Sequence, residues 1–289
     1  MSRRPRPSRE ARNRDAYSRP SIVNWYSAQA GLQAGESALL AAYRSEIEGA
    51  SVLDIGIGGG RTTGALLPLV GRYLGVDYSL PLVEAARVRF PQVDLRWADA
   101  RELTTLGERD LDVAWFSFNG LDYIDHGGRL TALRQVRSVL RPGGLFLFSS
   151  HNGDLVGAGR MPWRRPRATR AWLRQLGHAV RHLPQHLRMR RLEERAADHA
   201  ILNDDAHHYS LLTYYITRED QERQLQDAGL VPIAAYRQDG APLRAGEVDR
   251  ESVWLHYAAR RPEATEVPEV PEVPEVPGLP DPTGLNFPA

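Results

Sequence analysis

A mostly apolar segment that runs directly into a cluster of glycines is the feature that most constrains how this chain folds. Ser51–Ile55 has the composition of a buried strand, and a helical pattern follows the glycines over Arg61–Val70. Gly56, Gly58 and Gly60 permit a positive φ and a close approach of the backbone to a ligand. The helix N-terminus offers free amide groups. The segment therefore predicts a strand–loop–helix nucleotide site, of a type that dinucleotide-binding enzymes also use.

The chain around this segment alternates apolar runs with helical patterns. Such alternation indicates a parallel, doubly wound sheet with right-handed crossovers and helices on both faces. Further along, a helix over 218–228 ends at Gly229 and precedes two β-rich segments, 231–237 and 252–259. The other predicted strands are Tyr73–Val76, Val93–Trp97, Leu111–Phe118 and Leu145–Ser149, and the other predicted helices are Leu80–Phe90 and Gly128–Leu140.

The length of 289 residues allows one large domain or a core with an insertion. The alternation of predicted strands and helices is interrupted at 153–213, where only helical patterns occur, near 168–180 and 185–197. Proline at every third position of the C-terminal Val-Pro-Glu repeat favours an extended, disordered tail. The predicted divisions are a basic flexible arm at 1–20, a core at 21–152, a helical, Arg-rich lid insertion at 153–213, the end of the core sheet at 214–261 and the tail at 262–289.

Composition excludes several kinds of site. The chain has no Cys and no Lys, which excludes disulfides, thiolate zinc sites, thiol nucleophiles and a Lys base or Schiff base. The formal net charge of +1 gives no global electrostatic signature. No apolar run approaches the length that crosses a bilayer, and the basic N-terminus lacks the apolar region of a secretory signal. We therefore expect a cytoplasmic protein without a membrane partner.

Three carboxylates lie at the ends of successive predicted strands. Asp54 lies just before the glycines, where it would repel a pyrophosphate but suits a ligand with sulfonium and ammonium charges. Asp77 follows the next strand, about 20 residues past the loop, the usual place for a carboxylate that holds ribose hydroxyls. Asp99 follows the third strand, where it could accept a hydrogen bond from an adenine amino group. The alternative for each is a turn residue or helix cap, and it weighs most for Asp99.

In four segments the chain resembles the class I S-adenosylmethionine-dependent methyltransferases. Asp54–Gly60 matches the D-x-G-x-G-x-G pattern of that family without a departure. Gly75–Ser79 looks like its ribose-binding segment, and Ala98–Ala100 looks like its adenine segment. Leu140–Gly144 looks like the turn before its fifth strand. In combination these motifs are specific for the family, but they do not identify a substrate.

This resemblance covers roughly 36–152 and resumes at 214–259. It implies a Rossmann-like, doubly wound, seven-stranded sheet whose last strand is antiparallel, with the lid in the insertion. It also implies S-adenosyl-L-methionine as the cofactor. The cofactor-binding residues expected on this basis are Asp54, Gly56, Gly58, Gly60, Asp77, Tyr78, Asp99, Ala100 and Phe118.

Groups that act on the methyl acceptor are expected beyond the fourth and fifth strands. Methyl transfer from a sulfonium requires in-line alignment, exclusion of water and sometimes a base. The candidates are Asn119, Tyr123 and His151, and His151 is favoured as the base because the ordinary pKa of histidine lies near neutrality. Each could instead only satisfy loop backbone. Trp25 and Tyr26 could close over the donor, since aromatic faces attract a sulfonium charge.

The insertion supplies one more catalytic candidate, His208. The pair His207-His208 suggests metal ligands, but no third ligand stands at a matched spacing, so no metal is expected. Ten Arg without an acidic residue occupy 155–192. They could bind an anionic acceptor or nucleic acid, or they could form the solvated face of a lid helix.

Three functions therefore stay open. The first is methylation of a small molecule or short peptide at oxygen, nitrogen or carbon. The second is an RNA or DNA methyltransferase that uses the Arg-rich arm and insertion, although no aromatic-Pro-Pro element for a base amino group follows the fourth strand. The third is a donor-binding cyclase or scaffold that does not methylate. We expect the first, with a small-molecule or peptide substrate and no nucleic acid partner; the sequence leaves the acceptor and the oligomeric state open.

Overall fold

The computed structural model describes residues 13, 15–155, 170–204 and 208–263, and a central sheet organises them. The strands in chain order are β1 (Ser51–Ile55), β2 (Arg72–Asp77), β3 (Asp94–Trp97), β4 (Leu111–Phe116), β5 (Leu140–Asn152), β6 (Glu194–Arg195), β7 (Ala200–Leu202), β8 (Thr213–Ile216), β9 (Val231–Tyr236), β10 (Pro242–Leu243) and β11 (Trp254–Arg260).

Helices precede the sheet, cover its two faces and extend into the insertion. They are α1 (Pro20–Ser27), α2 (Ala34–Ala42), α3 (Arg44–Ile47), α4 (Thr63–Leu66), α5 (Leu80–Arg89), α6 (His126–Val139), α7 (Arg170–Met189) and α8 (Arg218–Asp227). Short 3₁₀ helices occupy Ala100–Leu106, Gly120–Tyr123 and Arg190–Leu192. No helix among the described residues has the length and apolarity that a membrane span requires.

The order of the strands confirms the predicted doubly wound α/β sheet. Along its main path the order is β10-β9-β11-β5-β4-β1-β2-β3. The strands from β3 to β5 pair in parallel, and β11 lies antiparallel between β5 and β9. The sequence predicts seven strands, whereas the sheet of the described residues has eleven; β11, the last strand in the chain, is antiparallel to its neighbours. The complete sheet is larger than the main path, because β6, β7 and β8 extend it from the end of β5.

Two predicted helices differ from the structure. The predicted helix at 61–70 shortens to α4, since Pro68 has no amide proton with which to continue it. The second helical pattern of the insertion, 185–197, is wrong beyond the 3₁₀ helix that ends at Leu192. There the chain enters the hairpin of β6 and β7, which joins β5 through β8. Backbone pairing with the core sheet outweighs the local helical pattern, so the described insertion is part helix and part strand.

Some divisions of the sequence fall outside the described residues. The tail from 264 onward, residues 1–12 and the stretch 156–169 of the insertion are among them. Within the stretch expected to be a flexible arm, Ala16 and Tyr17 are buried, and Tyr17 packs in a cluster with α1 and α5. The end of that arm is therefore part of the folded core.

Apolar side chains of the central strands alternate between two cores, one on each face of the sheet. Ala114 and Phe116 of β4 lie in one core, and Val113 and Trp115 lie in the other. This alternation follows from the two-residue period of a strand. All four are buried, as the sequence predicted from the nearly continuous apolar run of this strand.

A fully buried Arg joins helix α6 to the carboxyl end of the sheet. The Arg129 side chain has no solvent exposure, and its Nη1 donates to Asp122 Oδ1 at 2.5 Å. Its Nη2 donates to Ser150 Oγ at 3.0 Å and also to Gln221, and its Nε donates to Gln224. A buried ion pair of this kind is stable only while its charges stay compensated.

Replacing Arg129 with Met should therefore destabilise the fold. The variant leaves the Asp122 carboxylate buried without its cation, which costs about 3–5 kcal/mol of unfolding free energy. Arg134→Met on the exposed side of the same helix is the matched control and should change it by less than about 0.5 kcal/mol. Urea denaturation of both variants measures the difference. Equal stabilities for the two variants would show that the buried pair does not hold this region together.

Candidate active site

A pocket opens at the carboxyl ends of β1, β2 and β4. It contains about 770 Å³ of space that is continuous with solvent. In the strand order, β1 lies between β4 on one side and β2 on the other, so the chain reverses its direction of winding here. Open α/β sheets bind ligands at such a switch point, outside the carboxyl ends of the strands.

Most of the residues that the sequence predicted for the cofactor line this pocket. They come from the glycine loop, from the ends of β2 and β4 and from the segment after β3. The predicted residues in the lining are Gly56, Gly58, Asp77, Tyr78, Asp99, Ala100 and Phe118, together with the catalytic candidate Tyr123. Asp54 and Gly60 are not part of it.

The glycine loop has the backbone conformation that its composition predicted. Gly56, Gly58 and Gly60 have φ values of 69°, 56° and 83°, in the left-handed region that favours glycine. A Cβ on Gly56 would lie 2.9 Å from the ring of Phe116. The loop therefore depends on glycine both for its dihedral angles and for its close packing on β4.

Asp77 connects the end of β2 to the glycine loop. Its Oδ2 accepts a hydrogen bond from the amide of Gly58 and its Oδ1 accepts one from the amide of Ser79, both at 2.8 Å. Burial raises the pKa of this carboxyl to about 6, and the two amide donors oppose that shift. The carboxylate is thus held rigidly in the pocket wall at the place predicted for it.

Asp54 is held away from the pocket. Its Oδ2 accepts hydrogen bonds from Thr62 Oγ1 at 2.5 Å and from the Tyr73 hydroxyl at 2.7 Å. Complete burial raises its pKa to about 6, and these two hydroxyls oppose the shift. Its Oδ1 has no hydrogen-bond partner in the part of the chain that the structure describes. In this arrangement the carboxylate stabilises the turn between the glycine loop and α4, and it does not line the pocket.

Asp99 has the capping role that the sequence offered as its alternative, and it lies in the pocket wall. It lines the pocket, and it also caps the 3₁₀ helix Ala100–Leu106 by accepting a hydrogen bond from the amide of Arg101 at 2.9 Å. The guanidinium of Arg101 pairs with the same carboxylate at 2.6 Å, and Arg101 lines the pocket as well. The sequence analysis did not single out Arg101.

Aromatic rings close the pocket on the side of the N-terminal segment. Tyr17 and Tyr26 both belong to the lining, with ring centroids 5.7 Å apart. Tyr17 also lies 5.4 Å from the ring of Tyr123, and Tyr26 lies 6.1 Å from that of Phe118. Burial raises the pKa of Tyr26 to about 12. Tyr26 was predicted here, whereas Trp25 is 45% exposed and outside the lining.

Sequence reasoning missed Tyr17. It was assigned to the arm because its neighbours in sequence are basic and no helical or strand period includes it. Only tertiary packing brings this ring to the pocket.

His151 forms a pair with Asp122 next to the pocket. Asp122 Oδ2 accepts a hydrogen bond from the backbone amide of His151 at 2.6 Å and lies 2.7 Å from His151 Nδ1. A carboxylate can only accept, so the proton of the neutral imidazole resides on Nδ1 and Nε2 keeps a lone pair. The sequence predicted His151 but not Asp122, because their contact joins positions 29 residues apart.

The other catalytic candidates occupy different places. Tyr123 lines the pocket. Asn119 is buried in a left-handed conformation with φ 58°. Its backbone amide donates a hydrogen bond to Ser149 Oγ at 2.9 Å. His208 lies outside the pocket lining, where it stacks on His182 with ring centroids 4.8 Å apart. The structure thus brings Tyr123 and His151 together and does not bring His208 to them.

A group of metal-ligating side chains that the sequence did not indicate consists of His126, Asp198 and His199. The two imidazole rings are stacked, with centroids 4.1 Å apart and planes inclined by 6°. A ring nitrogen binds a metal in the plane of its ring, so an ion bound to one ring would lie well outside the plane of the other. His126 Nδ1 is hydrogen-bonded to the hydroxyl of Tyr214, and His199 Nδ1 is hydrogen-bonded to Asp198. The group is therefore a packing contact between the hairpin and α6.

Residues 52–144 match a family described as methyltransferase domain. The chain is 31% identical over 112 residues to a probable S-adenosylmethionine-dependent methyltransferase of Mycolicibacterium smegmatis, a match of 39% of this chain and 42% of that protein. It is 30% identical over 137 residues to the ubiquinone biosynthesis O-methyltransferase of Cereibacter sphaeroides, a match of 43% of this chain and 53% of that protein. The chain thus spans about half the length of the curated relatives that it matches.

Solved structures share the fold. The CcbJ methyltransferase from Streptomyces caelestis aligns with a TM-score of 0.55 at 17% identity, over 86% of this chain and 98% of that one. The 1,6-didemethyltoxoflavin-N1-methyltransferase of Burkholderia thailandensis, solved with S-adenosylhomocysteine, aligns with a TM-score of 0.55 at 18% identity, over 91% and 94%. The matching domain and the named relatives show that this part of the chain is similar to S-adenosylmethionine-dependent methyltransferases, and the solved structures show that it shares their fold.

Proposed function

We propose that this chain transfers a methyl group from S-adenosyl-L-methionine to a small-molecule acceptor. The observation that carries the proposal is the Asp77 carboxylate, fixed in the pocket wall beside a loop of left-handed glycines. The sequence relative named for ubiquinone biosynthesis acts, by that name, in the synthesis of a small molecule, which supports this class of acceptor. No observation on the described residues favours the nucleic acid or scaffold alternative.

The pocket residues fit the chemical groups of this donor. Each oxygen of the Asp77 carboxylate accepts one amide hydrogen bond and retains a lone pair for a ribose hydroxyl. Gly56 and Gly58 expose backbone without a side chain next to that carboxylate. Ala100 and Tyr78 supply apolar surface in the same pocket, which suits an adenine ring. We therefore assign Asp77 to the ribose, with the glycine loop beside it, and Ala100 and Tyr78 to the adenine.

Asp54 acts in this proposal as a positioning residue. Its hydrogen bonds with Thr62 and Tyr73 fix the turn that follows the glycine loop. The loop amides then keep their positions whether or not a ligand is bound, which lowers the entropic cost of binding.

The donor supplies an electrophilic methyl group on a sulfonium, and the protein has to align it and keep water away. The rings of Tyr17, Tyr26 and Phe118 enclose one side of the pocket. Aromatic faces attract a cation and exclude water. We propose that these three rings surround the sulfonium, and that the acceptor approaches from the neighbouring side, at Tyr123.

Asp77→Asn should weaken binding of S-adenosylhomocysteine and leave the fold intact. The amide keeps the size of the carboxylate but loses its charge, and the loss of charge-assisted hydrogen bonds costs about 1–3 kcal/mol, or roughly 5- to 150-fold in Kd. Asp94→Asn is the matched control, since that side chain is 46% exposed and lies on the adjacent strand. Isothermal titration calorimetry measures both. Unchanged affinity in a folded Asp77→Asn variant would remove the ribose assignment.

Affinity for S-adenosylhomocysteine should also rise with pH. The pKa of Asp77 is raised to about 6 by burial, and only the ionised carboxylate accepts hydrogen bonds from both ribose hydroxyls and both amides. For a pKa of about 6, the ionised fraction increases about tenfold between pH 5 and pH 7, so Kd should fall by about the same factor. Calorimetry across this range tests the expectation, and Asp77→Asn should flatten the profile. A Kd that rises with pH would contradict it.

A further inference from the structure

Helix α7 is attached to the rest of the protein by the side that carries His182, His186 and Met189. The ring of His182 stacks on that of His208, with centroids 4.8 Å apart. His186 Nδ1 lies 2.9 Å from Asn203 Oδ1, and both residues are buried. Met189 is also buried and packs in an apolar cluster with β7 and β8. Because these three residues recur every three or four positions, they define the side of the helix that faces the protein.

A second side of α7 carries apolar residues that are exposed. Val180, Leu183 and Leu187 recur at intervals of three and four, so they lie in one row along the helix. Val180 is 59% exposed and Leu187 is 51% exposed, whereas Leu183 between them is half-buried. At 3.6 residues per turn, the row lies roughly 120° around the helix from the attached side. A continuous exposed row of this kind marks an interaction surface more often than scattered single residues do.

A third side of α7 is basic. Arg181 and Arg188 lie seven residues apart on the flank of the apolar row, and both are exposed. Arg190 and Arg191 follow at the end of the helix and are exposed as well. The sequence from 155 to 192 contains ten Arg and no acidic residue. The surface formed by the apolar row and this basic flank therefore complements a negatively charged partner.

The attachment of α7 holds this surface in a fixed orientation. Asn203 contacts His186 with its Oδ1, and its Nδ2 donates to the backbone carbonyls of Tyr209 and Leu211 at 3.0 and 2.6 Å. The helix cannot rotate to bury the apolar row without breaking these buried hydrogen bonds. The helix is thus formed before a partner binds, which lowers the entropic cost of docking.

A lipid bilayer with anionic headgroups suits this surface better than the other partners do. Aliphatic side chains enter the boundary between headgroups and acyl chains, while guanidinium groups stay at the level of the phosphates. A nucleic acid would use the charges alone and would leave Val180 and Leu187 unburied. In a symmetric contact between two copies of the chain, the apolar rows would meet but the arginines of both helices would be brought close together, and like charges repel.

We propose that α7 docks the protein on an anionic membrane surface, with Val180 and Leu187 in the interface and Arg181 and Arg188 at its margin. The sequence predicted no membrane partner because no apolar run is long enough to cross a bilayer. A helix that lies in the plane of the interface needs only one apolar side. The proposal is independent of methyl transfer, since none of its residues lines the donor pocket.

Sedimentation of the full chain with phospholipid vesicles tests the proposal. Vesicles of phosphatidylcholine and phosphatidylglycerol in equal parts provide the anionic surface, and vesicles of phosphatidylcholine alone provide the neutral one. We expect binding to the first and at least about tenfold weaker binding to the second, because each Arg near an anionic surface contributes roughly fivefold. Added salt should weaken the binding, since it screens this attraction.

Two double variants separate the apolar and basic contributions. Val180→Ser with Leu187→Ser should weaken binding to the anionic vesicles by at least about tenfold, because the apolar row no longer enters the interface. Arg181→Gln with Arg188→Gln should weaken it by roughly 25-fold and reduce its dependence on salt. All four residues lie at the surface, so the melting temperature of each variant should stay close to that of the unsubstituted chain.

The matched controls carry the same substitutions on other helices. Val88→Ser on α5 changes a side chain that is 83% exposed, and Arg134→Gln on α6 removes an exposed charge. Both controls should bind the vesicles as the unsubstituted chain does. Equal weakening by the controls and by the α7 variants would show that binding is not located on this helix, and it would overturn the proposal.

Three further outcomes would also overturn it. The first is that the unsubstituted chain does not sediment with anionic vesicles. The second is binding that Val180→Ser with Leu187→Ser leaves unchanged, because the apolar row then stays out of the bilayer. The third is a dimer, detected by analytical ultracentrifugation, that the same double substitution dissociates, because the row would then belong to a contact between two copies.

Discussion

The buried carboxylate of Asp122 is the group on which the arrangement of this site depends. It lies in the 3₁₀ helix that follows β4, and it accepts hydrogen bonds from Arg129 of α6 and from Ser150 and His151 of β5. Removing a carboxylate from water costs several kcal/mol unless its partners compensate it. The loop after β4 can therefore occupy only a position in which all of these donors converge. That position also fixes Tyr123, which lines the pocket and has its ring centroid 6.3 Å from that of His151.

Two buried carboxyl groups near the donor pocket, Asp54 and Asp77, make the free energy of unfolding depend on pH. Burial raises the pKa of Asp54 and of Asp77 to about 6. A carboxyl group whose pKa is raised by folding stabilises the native state most at low pH, and this contribution is lost as the pH rises through about 6. At neutral pH both groups therefore reduce the stability of the free protein. A ligand that donates hydrogen bonds to Asp77 offsets part of the free energy cost of burying its charge. The free protein is therefore less stable at neutral pH, but its binding site is preorganised.

How well the sequence predicted each part depends on whether the relevant residues are neighbours in the chain. The segment Asp54–Gly60 and Asp77 were predicted because a parallel sheet brings the carboxyl ends of its strands together. The direction of the Asp54 side chain was not predicted, because it depends on hydrogen bonds with residues of the following turn and strand. The position of Tyr17 and the pairing of Asp122 with His151 depend on tertiary contacts that leave no period in the sequence. The strands of the insertion were missed because β6 and β7 are only two and three residues long, and they join the sheet through β8, which pairs with the distant β5.

A crystal structure of the complex with S-adenosylhomocysteine tests the central claim most directly, because it shows both the position of the nucleoside and the surroundings of the sulfur. The account predicts ribose hydroxyls within about 3 Å of the Asp77 carboxylate. We also expect the sulfur to lie on the side of Tyr123 and Phe118. A nucleoside bound without contact to Asp77, or a sulfur directed away from Tyr123, would contradict it.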